Sequence, residues 1–519
     1  MATIIGIDLG TVYTKIAVWD DRRQQATIIP NRHGMGVTPS AVGLNEAGDV
    51  VVGVEAERSA FLRPAHTVQY IKRELGDDCR VTLGDRVYDP QTLTALILKY
   101  LKASAGVYLG EPVCDAVIAI PAVSDVRHLA AFREAGRLAG LHVHRLVADT
   151  TAAAIALKLR FGGAAVCGPA LLVDLGGGMV SVSAVDLADD CIAVVGTGGE
   201  LRLGGLDMDE QMMKWALRQI RAKHSVNLAG DEAARRRLLA EAESVKRQLA
   251  AAEAAELNVP FLTAIDGRPL SVRLSITRAQ YQELIQPLLA RLVTCLDEAM
   301  AGAERADAFG WSDLTAVYIL GGPTRLPMVR QWLHDALSER CGGRVPPIRT
   351  DLNPEETVAH GAAIVAGGRV TIGGPQHQEP VGSAAEEGVP PLFRVVEVVT
   401  ARHSVGFAAA EGKFMTLIPR GTVLPVTRCL PVLSGITMFT TDLVVELFQG
   451  EEEYAAADTK IGELRIAELD PHACRFNPME VAITLDVSGD ISAVCTDLRT
   501  RQPYPCTFIT RKITGADDD

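Results

Sequence analysis

From Met1 to about Gly368, short apolar runs alternate with longer stretches whose apolar residues recur every three or four positions. PVCDAVIAIP, Pro112 to Pro121, reads as a buried strand, whereas AAFREAGRLAGL and AEAESVKRQLAAAE have helical spacing with charges on one side. Strands interleaved with helices predict an α/β architecture around covered sheets. Residues 373–391, GGPQHQEPVGSAAEEGVPP, break the pattern and read as a solvated linker. Beyond them come short β runs, SVGFAA, MTLIP, LVVELFQG and EVAITLDV, separated by turn residues, which predict an all-β module up to about Lys512. The last residues, ITGADDD, form an acidic tail.

One pattern occurs twice. IIGIDLGTVYTKIAVWD, Ile4 to Asp20, aligns without gaps on ALLVDLGGGMVSVSAVD, Ala170 to Asp186, so that Asp8 meets Asp174 and Gly10 meets Gly176. Glycines at such a turn let backbone N–H groups approach phosphate oxygens. The Asp before the turn suits hydrated Mg²⁺, an ion that prefers oxygen ligands and sheds water reluctantly. Two copies imply two similar lobes gripping one polyphosphate between them. VYILGGPTRLPMV, Val317 to Val329, repeats the strand-and-glycine design. With Gly321, Gly322, Arg325 and a helix carrying Glu243, Lys246 and Arg247, it gives a candidate adenosine pocket; alone, those charges read as a solvated helix face.

Composition narrows the choices. A chain of 519 residues is long enough for two or three domains. A net charge of −13, with no basic cluster, argues against nucleic acid as a partner. No signal peptide or membrane-spanning run is evident, so no membrane partner is expected. The ten cysteines are scattered without a C-x-x-C pair, which fits reduced thiols in the cytoplasm. HVHR, His142 to Arg145, places two imidazoles on one strand and reads first as a solvated strand edge.

In order along the chain, these motifs resemble the 70-kDa heat-shock (DnaK-type) chaperone family of the actin and sugar-kinase superfamily. GIDLGTVYTKIAV and VDLGGGMVSVS resemble its two phosphate motifs, ILGGPTRLPMV its adenosine motif, and YIKRELG the segment of its catalytic lysine. VIAIPAVSDVRHLAAFREAGRLAGLHVHRLVADTTAAAIAL resembles the connecting segment, LNPEETVAHGAAIVAG closes the domain, and MTLIPRGTVLP with VVELFQGE resembles the peptide-binding module. The resemblance implies an actin-like ATPase domain of two lobes over 1–368, a linker over 369–399, a β-sandwich substrate domain over 400–512 and a tail over 513–519, without a helical lid.

It further implies ATP/ADP and Mg²⁺ as ligands. Asp8, Gly10, Thr11, Val12 and Tyr13 would form the first phosphate hairpin. Gly176, Gly177, Gly178 and Met179 would form the second, with Gly204 and Gly205 nearby. Asp8 and Asp174 would hold Mg²⁺ through water, Lys72 would stabilise the γ-phosphate, and Asp149 would serve the attacking water. Phe407, Ala410, Ile436 and Leu443 would line a peptide pocket. Client peptides, a J-domain co-chaperone and a nucleotide-exchange factor are the implied partners.

Departures from the family cluster at the chemistry: Asp149 stands for Glu, Met179 and Val12 for hydroxyl residues, and Ser181 for Asp. At the coupling positions Pro121 is kept, Leu129 stands for arginine, and VVEVV carries Glu397 but lacks a terminal Asp. These changes predict ATP binding with slow hydrolysis. The alternative is a nucleotide-binding scaffold that recruits one partner without useful turnover; a sugar kinase or actin-like filament former would have no use for the β module.

Overall fold

A computed structural model describes residues 3–161, 166–188, 190–265, 268–373, 378–380, 391–397, 400–430, 442–468, 479–486, 489–498 and 500–510. The repeated sequence motif folds into a repeated structure. In the first lobe, strand Ile4–Asp8 turns back antiparallel onto Tyr13–Asp20, and lies parallel to Asp115–Ile120, itself parallel to His142–Ala148. In the second, Gly168–Leu175 turns back onto Val180–Leu187 and lies parallel to Ala316–Leu320, itself parallel to Ile348–Arg349. The register is equivalent too: Asp8 faces Lys15 across the first hairpin, and Asp174 faces Ser181 across the second. These are corresponding positions of the two sequence repeats.

Two helices, Asp149–Phe161 and Thr357–Ala366, join the lobes. Both are rich in alanine and buried over most of their length, because small side chains let helices approach sheets from both sides. Ala152, Ala153, Ile155, Ala362 and Val365 share one core with Val117 and Ala119 of the first sheet and Leu172 of the second. Each lobe has its own further core, one around Ile7, Leu98 and Phe132, the other around Val182, Leu238 and Tyr281. Across the outer rim, helix Glu232–Leu249 reaches the first lobe: Arg236 donates to the carbonyls of Pro64 at 2.8 Å and Thr67 at 3.2 Å.

The range 369–399, a linker by the resemblance, contains strands on both sides of its Gly- and Pro-rich stretch. Val370–Gly373 and Phe393–Glu397 pair in parallel with each other, and Phe393–Glu397 pairs in parallel with Cys191–Glu200, extending the second-lobe sheet. Their inward residues Ile372 and Val395 are fully buried. Most of the Gly-, Pro- and Glu-rich stretch between these strands lies outside the described residues.

The described strands from Val405 onward form two antiparallel sheets enclosing Val405, Ile418, Leu447, Leu464 and Ile483, a β-sandwich. The sandwich rests on the two lobes through polar and apolar contacts. Gln449 donates to Asp125 at 2.6 Å in a buried bond, Arg133 pairs with Asp490 at 2.9 Å, and Arg402 donates to the Gly199 carbonyl at 2.8 Å. Leu129 lies so close to Gly489 that a β-carbon there would sit 2.4 Å from Leu129 Cδ1. Glu397 accepts from the Thr151 hydroxyl at 2.7 Å. Of the two coupling positions that differ from the family pattern, Leu129 therefore contacts the sandwich, whereas Glu397 ties the second-lobe sheet to helix Asp149–Phe161. Among the described residues no helix is long and apolar enough to cross a membrane.

Candidate functional site

A cavity of about 670 Å³ opens between the lobes where the two hairpin turns meet. Its size suits a nucleotide-sized ligand, since binding pockets run from about 300 to 1,000 Å³. The turns interlock. A β-carbon on Gly177 would lie 2.4 Å from Val12 Cγ2, and one on Gly178 would lie 2.5 Å from Thr11 Cγ2. The run of glycines in the second hairpin is thus the space into which side chains of the first hairpin fit. Arg73 fastens the contact, donating to the Gly178 carbonyl at 2.9 Å and pairing with Asp207. Asp207 in turn accepts from the Gly204 N–H at 2.7 Å, at the start of helix Gly205–His224.

Asp8, Asp149, Asp174 and Lys72 all line the cavity floor. Lys72 sits in the 3₁₀ turn Ile71–Glu74, buried rather than on the surface, with its ammonium 5.8 Å from the centre of the Phe132 ring. Burial lowers its proton affinity, while Asp8, Asp149 and Asp174 oppose that effect. Asp149 opens helix Asp149–Phe161 and is held by three donors: Thr150 N–H at 2.7 Å, the Ser181 hydroxyl at 2.8 Å and Ala122 N–H at 3.2 Å. Burial raises its pKa against the pull of Lys72 and these donors. Burial also raises Asp174, and here the charges of Asp149 and Asp8 act in the same direction.

Lys15, which the motif reading passed over, stands 3.3 Å from Asp8 and is largely buried. The hairpin register sets Lys15 opposite Asp8, a pairing that only the length of the turn decides. Asp209 was missed as well. It lies on helix Gly205–His224, accepts from Lys246 at 2.6 Å, and leaves Oδ1 buried without a partner at the cavity wall. Burial raises its carboxyl to about 7 even beside Lys246.

Most of the other predicted nucleotide residues line the same cavity. Gly321, at φ +85°, brings its backbone so near Leu175 that any β-carbon would overlap the Leu175 carbonyl. Gly322 and Arg325 follow it, with Arg325 paired to Glu355 at 3.1 Å. Glu243 and Arg247 form an ion pair one helical turn apart at 2.5 Å, and Arg247 also donates to Tyr13 Oη at 3.2 Å, linking the lobes. Gly10, Gly176, Gly205 and Met179 line the same space, and Met179 is almost fully buried. Gly204 borders it: a β-carbon there would come within 2.8 Å of the Gly176–Gly178 backbone.

The donor set fits a hydrated divalent cation beside a triphosphate. Three carboxylates line one cavity together with Lys15 and Lys72, and Asp174 is disfavoured as an anion by burial and then by the carboxylates of Asp149 and Asp8. Positive charge brought by a ligand would relieve that crowding.

Two of the four residues expected to line a peptide pocket lie in described strands of the sandwich. Phe407, on strand Val405–Ala408, and Leu443, on strand Leu443–Gln449, are partly buried at the margin of the sandwich core. Ala410 falls in the 3₁₀ turn Ala410–Gly412, and its side chain is outside the described set, as is all of Ile436.

The family model for the Hsp70 protein matches residues 4–82 and 77–504. The chaperone protein DnaK of Thermosipho africanus is 32% identical over 515 residues, covering 99% of this chain and 81% of the relative. DnaK of Thermosipho melanesiensis is 31% identical over 497 residues, covering 96% and 78%. DnaK of Thermotoga neapolitana is 31% identical over 496 residues, covering 95% and 78%.

Proposed function

The chain belongs to the Hsp70 family and is an ATP-dependent chaperone with ATPase activity; from that premise we propose that ATP lies between the two lobes with its triphosphate gripped by the hairpins that begin at Asp8 and Asp174. The observation that carries this reading is their equivalent register and interlocked turns, with three carboxylates and two lysines converging at the junction. Residues 1–368 would form the actin-like nucleotide domain and 400–512 the substrate domain.

Asp8 and Asp174 would hold Mg²⁺ through water, and the ion, when bound, offsets charge on the phosphate oxygens. The backbone N–H groups of the two glycine turns orient the phosphates. Lys72, buried beside the three carboxylates, would stabilise negative charge that builds on the γ-phosphoryl group. Asp149, with its proton affinity raised by burial, accepts a proton as water attacks phosphorus. The new oxygen–phosphorus bond forms as the bond to the ADP oxygen breaks, giving ADP and phosphate.

Two features support slow hydrolysis. Met179 and Val12 bring carbon where a hydroxyl would donate to the γ-phosphate. The Asp149 side chain is short and tied back by Ser181, Thr150 and Ala122, which limits its reach toward the water. Each missing hydrogen bond is worth about 1 kcal/mol, roughly fivefold to tenfold in rate. Hsp70-type chaperones act on client proteins with co-chaperones; a J-domain protein and a nucleotide-exchange factor are the partners proposed here. Extended apolar segments would bind the β-sandwich near Phe407 and Leu443 by strand-like hydrogen bonds. The free thiols of Cys79, Cys191, Cys295 and Cys341 support a reducing, cytoplasmic setting.

Phosphate release measured with and without an apolar client peptide tests the reading. A slow basal rate raised by peptide supports it, whereas a bound nucleotide with no turnover under either condition favours the scaffold alternative.

A further inference from the structure

Strand His142–Ala148 forms one edge of the first-lobe sheet. His142 stands opposite Asp115 of the neighbouring strand, and Val143 opposite Ala116. The register then slips, for Arg145 faces Val117, leaving His144 as the extra residue of a β-bulge. A bulge re-aims a side chain, and here it brings His144 beside His142, edge to face with ring centres 4.3 Å apart.

Three potential ligand atoms converge as a result. His142 Nδ1 and His144 Nε2 lie 3.3 and 2.8 Å from the same oxygen of Asp115, and 3.2 Å from each other. One proton joins two such atoms at a time; a cation holds all three. Bonds of about 2.0–2.1 Å at tetrahedral angles place neighbouring zinc ligands about 3.3 Å apart. The three atoms therefore outline one face of a coordination tetrahedron before any ion arrives. His142 is 72% exposed, which leaves the remaining position open to water. The backbone is fixed as well, because His142 N–H donates to the Cys114 carbonyl at 2.7 Å.

We propose that Asp115, His142 and His144 form a binding site for a divalent transition metal of the zinc class, separate from the nucleotide cleft. Two imidazoles and one carboxylate suit Zn²⁺, Ni²⁺ or Cu²⁺, and they discriminate against Mg²⁺, which prefers oxygen ligands. The site is independent of the magnesium-bound nucleotide.

Calorimetric titration of the full chain with Zn²⁺, in buffer containing Mg²⁺ but no nucleotide, tests the proposal. The native protein is expected to show a saturable equivalent that disappears in H142Q/H144Q, while basal ATP hydrolysis without zinc stays unchanged. The single variant H144Q is expected to weaken binding by about tenfold or more, and it serves if the double variant misfolds. Unaltered stoichiometry and affinity in both variants would assign the metal to thiols and overturn the proposal. So would the absence of saturable binding by the native chain.

Discussion

The two hairpins share a register but treat their acids differently. Asp8 faces Lys15 and forms an ion pair at 3.3 Å, whereas Asp174 faces Ser181, whose hydroxyl turns to Asp149 instead. The first acid comes with its own cation. The second is buried among like charges, and burial first, then the charges of Asp149 and Asp8, raises its pKa. One ancestral-looking pattern thus carries two electrostatic tasks: the first hairpin is balanced before ligand arrives, and the second is satisfied only when positive charge is brought in. A repeat fixes geometry without fixing chemistry, because the residue opposite the acid decides how that acid behaves.

The largest expected effect separates the two acids. D174N removes a crowded carboxylate, so the nucleotide-free protein should hold or gain stability while ATP turnover falls by about a hundredfold. D8N should lower turnover similarly but also strand the buried Lys15, costing about 2 kcal/mol of stability. Thermal unfolding alongside phosphate release checks the pair, and equal stability changes would break the contrast. Next in size is G178A. Its β-carbon would meet Thr11 at 2.5 Å and Arg73 Nε at 2.9 Å, so the hairpins must part. An overpacking cost of about 1–3 kcal/mol should weaken ATP binding by at least tenfold in calorimetry.

M179T restores a hydroxyl to the second turn and should speed single-turnover hydrolysis by about fivefold to tenfold, leaving ATP affinity nearly unchanged. The smallest effect sharpens the comparison most directly. K15S makes the first hairpin resemble the second, so that Asp8 no longer shares its charge with an ammonium. The Mg²⁺ concentration giving half-maximal ATP binding should fall a few-fold, about 0.5–1 kcal/mol, and a rise would contradict the assigned role of Lys15.

Much of this site was legible because duplication is a long-range signal: Asp8, Gly10, Asp174 and Gly176 identify one another. Lys72 was legible only through a motif, since nothing in YIKRELG alone buries a lysine. Lys15 and Asp209 escaped because a charged residue in a strand or helix looks solvated until its partner is known. Asp209 needs Lys246 from a helix far along the chain. The strands Val370–Gly373 and Phe393–Glu397 were obscured by the Gly- and Pro-rich stretch beside them, although their alternating burial is ordinary. The peptide pocket was least legible. In a sandwich, apolar alternation serves core and groove alike, and Phe407 and Leu443 carry no mark that distinguishes the two.

The most direct test of the central claim is calorimetric titration of ATP, with Mg²⁺, into the native chain and into D8N/D174N. The account expects one nucleotide per native chain and loss of that binding in the double variant. No adenine-nucleotide affinity in the native protein at millimolar ligand, or equal affinity in both proteins, would contradict it.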